Sequence, residues 1–185
     1  MDDAQAIARM KRGDIGGLAA IVERYQVKAV RTAYLIMQDR AAAEDVVQNC
    51  FLNAYRAIGG FDASRPFEAW FLRSVVNASV QAAKKTAQNV SLEGNDAFEM
   101  LLKDDAASPE AAMEWMEQRK AVQAALAALS PEQRAAVVLR YYLDLSEAEA
   151  AQKLEVAPGT IRWRLHEARK RLAVILRSNP AIQEG

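Results

Sequence analysis

Over residues 39–59 the apolar positions fall at Val46, Val47, Cys50, Phe51, Ala54, Tyr55 and Ile58. They recur as i, i+1, i+4, i+5, which is one stripe along an α-helix. Asp39 is placed to cap the start of that helix, and Gly59 to close its end in the left-handed conformation. Leu18, Ile21, Val22, Tyr25, Ala29 and Ala33 mark an earlier helix of the same kind. Another is predicted from Pro66, whose fixed φ suits a first turn, to the neighbourhood of Lys85. No segment alternates with the period of two that marks a half-buried strand. Residues 1–90 are therefore expected to form a compact helical bundle.

Beyond Ser91 the pattern weakens and acids accumulate at Glu93, Asp96, Glu99, Asp104 and Asp105. A flexible acidic linker is predicted over 91–111, with a short helical turn around Phe98–Leu102. Ser108-Pro109-Glu110 opens a further helix expected to reach Leu129, inside a second domain spanning 112–185. Ser130-Pro131-Glu132-Gln133 is a capping box with proline in the first turn, and Ser146-Glu147-Ala148-Glu149 is another. A helix over Glu147–Leu154, the turn Glu155-Val156-Ala157 and a last helix from Pro158 read as a helix-turn-helix. Ile161, Leu165, Ala168 and Leu172 form the last helix's buried stripe. The fold class expected is all-α, two small helical domains joined by the linker.

Charge sharpens this division. Lys plus Arg and Asp plus Glu each number 24. Residues 1–90 carry 12 basic and 9 acidic side chains, 91–118 carry 1 and 8, and 119–185 carry 11 and 7. Two basic blocks flank an acidic one, which can lie against the basic faces or serve as a solvated tether. One cysteine and one histidine leave no disulfide framework and no Cys/His cluster, so neither metal nor cofactor is expected. Adjacent Glu44 and Asp45 point about 100° apart on a helix, poor geometry for shared acid–base work. No enzyme is expected. No apolar run spans a bilayer, and the start Met1-Asp2-Asp3 lacks a basic and apolar leader, so the expected location is the cytoplasm.

The final helix carries the plainest chemistry. Residues 159–177 contain Arg162, Arg164, Arg169, Lys170, Arg171 and Arg177 against Glu167 alone. A recognition helix presents its N-terminal half to base edges, where Arg pairs bidentately with guanine. The candidate readers are Thr160, Arg162, Trp163, Arg164, His166 and Glu167. Glu167 either accepts from a cytosine amino group or pairs with Arg164 or Arg171. His166 suits a polar contact near DNA, and Cys50 a core position. In the first block, the turn-rich stretch 59–67 holds Phe61 and Phe67. The helix after it carries Trp70 and Phe71, then Arg73, Asn77, Gln81 and Lys84 in a polar stripe. Aromatics beside such a stripe suit stacking with single-stranded bases, and equally suit a core.

These residues together resemble a family. Asp39-Arg40-Ala41-Ala42-Ala43-Glu44-Asp45-Val46-Val47-Gln48-Asn49-Cys50-Phe51 is similar to the segment with which bacterial sigma factors grip the clamp of core RNA polymerase. Phe67-Glu68-Ala69-Trp70-Phe71-Leu72-Arg73 with Asn77 resembles their −10 recognition helix. Leu129–Arg134 and Gly159–Leu165 resemble their −35-binding domain. In order and spacing the chain resembles the extracytoplasmic-function group of the sigma-70 family. Trp163 stands where a small residue is usual there, and Glu167 where a basic one is common.

The resemblance implies a transcription initiation factor that recruits core polymerase to promoters and melts the −10 element. It assigns polymerase binding, at the clamp of the β′ subunit, to Asp39, Glu44, Asp45, Gln48, Asn49, Phe51 and Tyr55. A flipped −10 base would sit in the loop Phe61–Phe67, at Phe61, Asp62, Ser64, Arg65 and Phe67. Trp70, Arg73, Asn77, Lys84 and Lys85 would line the melted strand. The −35 duplex would meet Thr160, Arg162, Trp163, Arg164, His166, Glu167 and Lys170. An anti-sigma factor is the further partner implied. The rival reading is a dimeric helix-turn-helix regulator, which leaves helix 39–58 and the aromatic loop unexplained.

Overall fold

The computed structural model describes residues 1–87 and 120–177, and every regular element among them is helical. The predicted linker, its helical turn at Phe98–Leu102 and the helix start at Ser108 lie outside the described residues. The chain divides into two compact units, Met1–Gln88 and Asn89–Gly185.

In the first unit, α1 (Asp3–Lys11), α2 (Ile15–Met37), α3 (Arg40–Ala57) and α4 (Phe67–Ala87) follow one another. Carboxylates start three of them. Asp2 and Gln5 exchange side-chain-to-backbone bonds in a capping box on α1, Asp14 accepts from the Gly16 N–H, and Asp39 accepts from the Ala42 N–H at 3.0 Å. α1 was not anticipated from the sequence. It is only nine residues long, and its buried face comprises just Ala6, Ile7 and Met10. It docks closely because α2 begins with glycines: a Cβ on Gly17 would lie 2.4 Å from the Ala6 carbonyl oxygen. The expected left-handed closure at Gly59 is not formed. Instead α3 tightens into a 3₁₀ turn, Ile58–Gly60, and the Phe61 N–H closes it on the Ile58 carbonyl. Gly13, with φ of +80°, takes the left-handed conformation between α1 and α2.

Aromatic rings dominate the core of this unit. Phe51 stacks on Phe71 with centroids 4.5 Å apart, Phe71 stacks on Phe67 at 5.8 Å, and Tyr25 and Phe61 flank Phe67 at 5.7 and 5.6 Å. Such pairs contribute about 0.5–1.5 kcal/mol each beyond the area they bury. Cys50 is buried beside them, and burial pushes its thiol up to about 11. That is a core cysteine, as its place on the stripe suggested.

The second unit has a leaner interior. Residues 120–127 form α5, ending two residues short of Leu129. α6 (Pro131–Val137) begins with the predicted Ser130 capping box and runs on as a π turn, Val138–Tyr142. α7 (Glu147–Leu154) begins with the Ser146–Glu149 box, whose hydroxyl and backbone N–H hold the Glu149 carboxyl below its usual range. α8 spans Pro158–Arg177. Glu155, at φ 55°, reverses the chain between α7 and α8. Ala150 and Ala151 of α7 and Ile161, Leu165 and Ala168 of α8 are buried, so small side chains admit the second helix of the motif. Arg134 is also buried. Its guanidinium donates to the Leu129 carbonyl at 2.7 Å, between α5 and α6, and burial lowers its pKa from the usual value.

Candidate nucleic-acid interface

Three surfaces emerge, two on the first unit and one on the second. On α3 the buried stripe takes Ala43, Val47, Cys50, Phe51 and Ala54. Asp45, Gln48, Asn49, Leu52 and Arg56 are exposed. Spaced i, i+3, i+4, i+7, i+11, they form one outward strip. Leu52 is 48% exposed, a large apolar side chain amid polar neighbours. Its spacing from Asp45 and Gln48 is the sequence signal that marks it. Asn49 bonds the Asp45 carbonyl oxygen at 2.9 Å, and Glu44 pairs with Arg40 at 2.7 Å. Three residues expected on this surface have internal tasks. Phe51 is buried against Phe71 because it shares the stripe of Val47 and Ala54. The half-buried Tyr55 donates its hydroxyl to the Gly13 carbonyl, and the Asp39 carboxylate caps α3.

The second surface is the loop 62–66 and α4. Asp62, Ala63, Ser64, Arg65 and Pro66 are all exposed. Asp62 Oδ1 accepts from both the N–H and the hydroxyl of Ser64, at 3.0 and 2.7 Å, and its Oδ2 pairs with Arg65 at 3.4 Å. Those two Ser64 bonds hold the Asp62 carboxyl below its usual range. Phe61 and Phe67, expected among the −10 contacts of the loop, are buried. They close on each other and on Trp70, with Phe61 and Trp70 centroids 5.0 Å apart. The loop is thus a polar arch on an aromatic floor, with the half-buried Trp70 at the floor's edge. Of the two readings open for Trp70 and Phe71, Phe71 is core. Along α4, Phe71, Leu72, Val75, Val76 and Val80 face inward. Arg73 and Asn77 are half-buried, and Gln81, Lys84 and Lys85 are exposed, so the polar stripe exists as spaced.

The third surface is α8. Arg162, Trp163, His166 and Lys170 are exposed, Trp163 by 61%. Thr160, Arg164 and Glu167 are half-buried. Arg162 pairs with Glu147 of α7 at 3.3 Å. Two of the basic residues serve the unit itself. Arg169 Nε donates to the Tyr141 hydroxyl at 2.8 Å, and Arg171 donates to the Ala128 carbonyl at 3.3 Å. The cationic face available to a ligand is therefore narrower than the composition of α8 suggested.

Comparison with known proteins places both units. A family model described as sigma-70 region 2 matches residues 21–88, and one described as sigma-70, region 4, matches residues 119–172. The chain is 32% identical over 174 residues to the ECF RNA polymerase sigma factor SigM of Mycobacterium tuberculosis, covering 94% of this chain and 84% of that relative. It is 29% identical over 178 residues to the ECF RNA polymerase sigma factor SigW of Bacillus subtilis, covering 92% and 95%. Its fold is similar to that of the sigma factor RpoE, solved in complex with the anti-sigma factor NepR from Bartonella quintana. That match has a TM-score of 0.63 at 21% identity, and covers 87% of this chain and 97% of the other.

Proposed function

Because this chain belongs to the extracytoplasmic-function sigma factors of the sigma-70 family, which initiate transcription with RNA polymerase, we propose that it docks on core polymerase through α3 and reads promoters with two further surfaces. Residues 1–90 form the polymerase-binding and −10-binding domain, 91–111 the linker, and 112–185 the −35-binding domain. The observation that carries docking is the outward strip of α3. It sets an exposed leucine among Asp45, Gln48 and Asn49, separate from the stripe that holds the bundle together. An apolar centre with a polar rim is the make-up of a protein interface. The clamp of the β′ subunit is its partner.

For the −10 element, the exposed loop 62–66 receives a base flipped from the duplex, and Trp70, Arg73, Asn77, Lys84 and Lys85 follow the melted strand. Flipping costs a few kcal/mol, offset by stacking on Trp70 and polar contacts to Asp62, Ser64 and Arg65. For the −35 element, α8 enters the major groove with Arg162, Trp163 and His166 toward base edges and Lys170 toward the backbone. An anti-sigma factor is a further partner, supported by the RpoE relative solved with one.

The test is co-purification with core polymerase followed by run-off transcription on a promoter library. Asp45→Arg should lose at least tenfold in polymerase association, with helicity by circular dichroism unchanged. Undiminished association of that variant would remove the docking reading. A chain that ignores polymerase but binds duplex DNA as a dimer would instead be a conventional regulator.

A further inference from the structure

The loop 62–66 is tied to α1 at both ends, directly at its start and through Tyr25 of α2 at its far end, and α1 lies outside the matched region 21–88. At the loop's start, the Lys11 ammonium at the end of α1 donates to the Phe61 carbonyl at 2.8 Å. At its far end, Phe67 packs on the Tyr25 ring at 5.7 Å, and the Tyr25 hydroxyl donates to the Asp3 carboxylate in the first turn of α1. Arg24 also bonds Asp3 and the Met1 carbonyl. The hinge after α1 is held as well, since the Tyr55 hydroxyl donates to the Gly13 carbonyl at 2.8 Å.

We propose that α1 is a clasp that fixes the position of the loop 62–66, with Lys11 and Asp3 as its positioning residues. The proposal rests on that loop being the −10 reader. Ile7 and Met10 are buried against the bundle and dock α1 without help from the Lys11 head group. The ammonium bond is thus surplus to anchoring α1, and its acceptor is the last buried residue before the exposed arch. A charge-assisted bond to a carbonyl is short and directional. It limits how far Phe61 can drift from Phe67. Holding the arch in one geometry before DNA arrives reduces the ordering cost of capturing a base, and sharpens the choice among bases. Both tethers converge on α1 although Lys11 and Asp3 lie 50 and 64 residues from Phe61 and Phe67, so local sequence does not bring them there.

The experiment uses the full chain with core polymerase and a pool of fork-junction DNA whose single-stranded −10 segment is randomised. Lys11→Met keeps the aliphatic stem and removes the donor. Its enrichment of the preferred base at the captured position should fall about tenfold, the equivalent of about 1.4 kcal/mol. Lys11→Arg should restore it, and Tyr25→Phe, which keeps the ring but removes its hydroxyl bond to Asp3, should reproduce the loss. Polymerase association and the thermal midpoint should hold in all three. Wild-type preference in Lys11→Met, with preference lost in Ser64→Ala, overturns the clasp and leaves the loop as reader. Preference retained in both overturns the loop reading together with the clasp. Uniform weakening at every randomised position, with a lowered midpoint, overturns it too, because α1 would then be only a brace.

Discussion

In the reading proposed above, the two units answer the same problem, holding a DNA-facing surface on a small helical core, in opposite ways. In the first, the large rings that would suit base stacking are consumed by the interior. Phe51, Phe61, Phe67 and Phe71 are buried, and the surface is left to a short polar arch and an outward strip. In the second, the interior of the motif is built around alanines and a few aliphatics, and the large ring stays outside: Trp163 is exposed on α8. A unit with a bulky core can carry an exposed loop because the packed rings form the floor beneath it. A unit with a lean core presents its surface on a helix, where backbone hydrogen bonds already fix the geometry. Burial, not residue type, decides which aromatic is free to touch DNA.

The largest effect should come from exchanging an aromatic in each unit. Phe67→Ala opens a cavity amid Tyr25, Phe61, Trp70 and Phe71, and should cost about 3–5 kcal/mol in urea denaturation. Trp163→Ala removes a ring that is mostly in water and should change stability by less than about 0.5 kcal/mol, while weakening −35 binding. Equal destabilisation by the two would break the contrast between the units.

That contrast also explains what the sequence made legible. In the second unit, two capping boxes punctuate the chain and the stripe Ile161, Leu165, Ala168 separates inside from outside, so α7, the turn and α8 were all foreseeable. The burial of Phe61 and Phe67 is not legible in the sequence because they bracket a loop, where no periodicity marks a face. Phe51 was assigned to two jobs, stripe and docking surface, and packing on Phe71 leaves it only the first. α1 escaped because three buried residues at its spacing are too few to stand out. Its importance depends on contacts to Phe61 and Tyr25 that no local pattern encodes. Gly59 was given a left-handed cap on residue type alone, but a 3₁₀ turn satisfied the same carbonyls without it.

A middle-sized effect should distinguish reading from gripping along α8. Arg162 begins the helix's outward face, and must leave its exposed pair with Glu147 to reach a base, a small loss because such pairs contribute about 0–1 kcal/mol. Arg162→Ala should cost about 1–3 kcal/mol on the preferred −35 sequence and much less on scrambled DNA. Lys170→Ala should weaken both alike and lower the salt slope of binding by about one unit. Competition binding of the polymerase complex over a randomised −35 library, repeated at several salt concentrations, checks both. Uniform losses for Arg162→Ala would mean that α8 grips without reading, and the second unit would lose its distinction as a rigid reader.

The smallest effect concerns the one acid on α8. Glu167 lies on the same face as Thr160, Trp163 and Arg164, at spacings of seven, four and three residues. Its sequence offered two fates, a base contact or a pair with Arg164 or Arg171. Arg171 is turned to the Ala128 carbonyl, and among the described residues Glu167 forms no ion pair with either arginine. In the proposed docking, a half-buried carboxylate on that face repels phosphate unless it meets a donor, and the cytosine amino group is the donor the major groove offers. Glu167→Gln keeps the size and removes the charge, and a glutamine amide matches adenine better than cytosine. The substitution should therefore move the preference at one −35 position from cytosine toward adenine by severalfold, with stability unchanged. The randomised −35 library reads this directly. An unaltered ranking would leave base reading on α8 to Arg162, Trp163 and His166 and make Glu167 a surface carboxylate with no part in it.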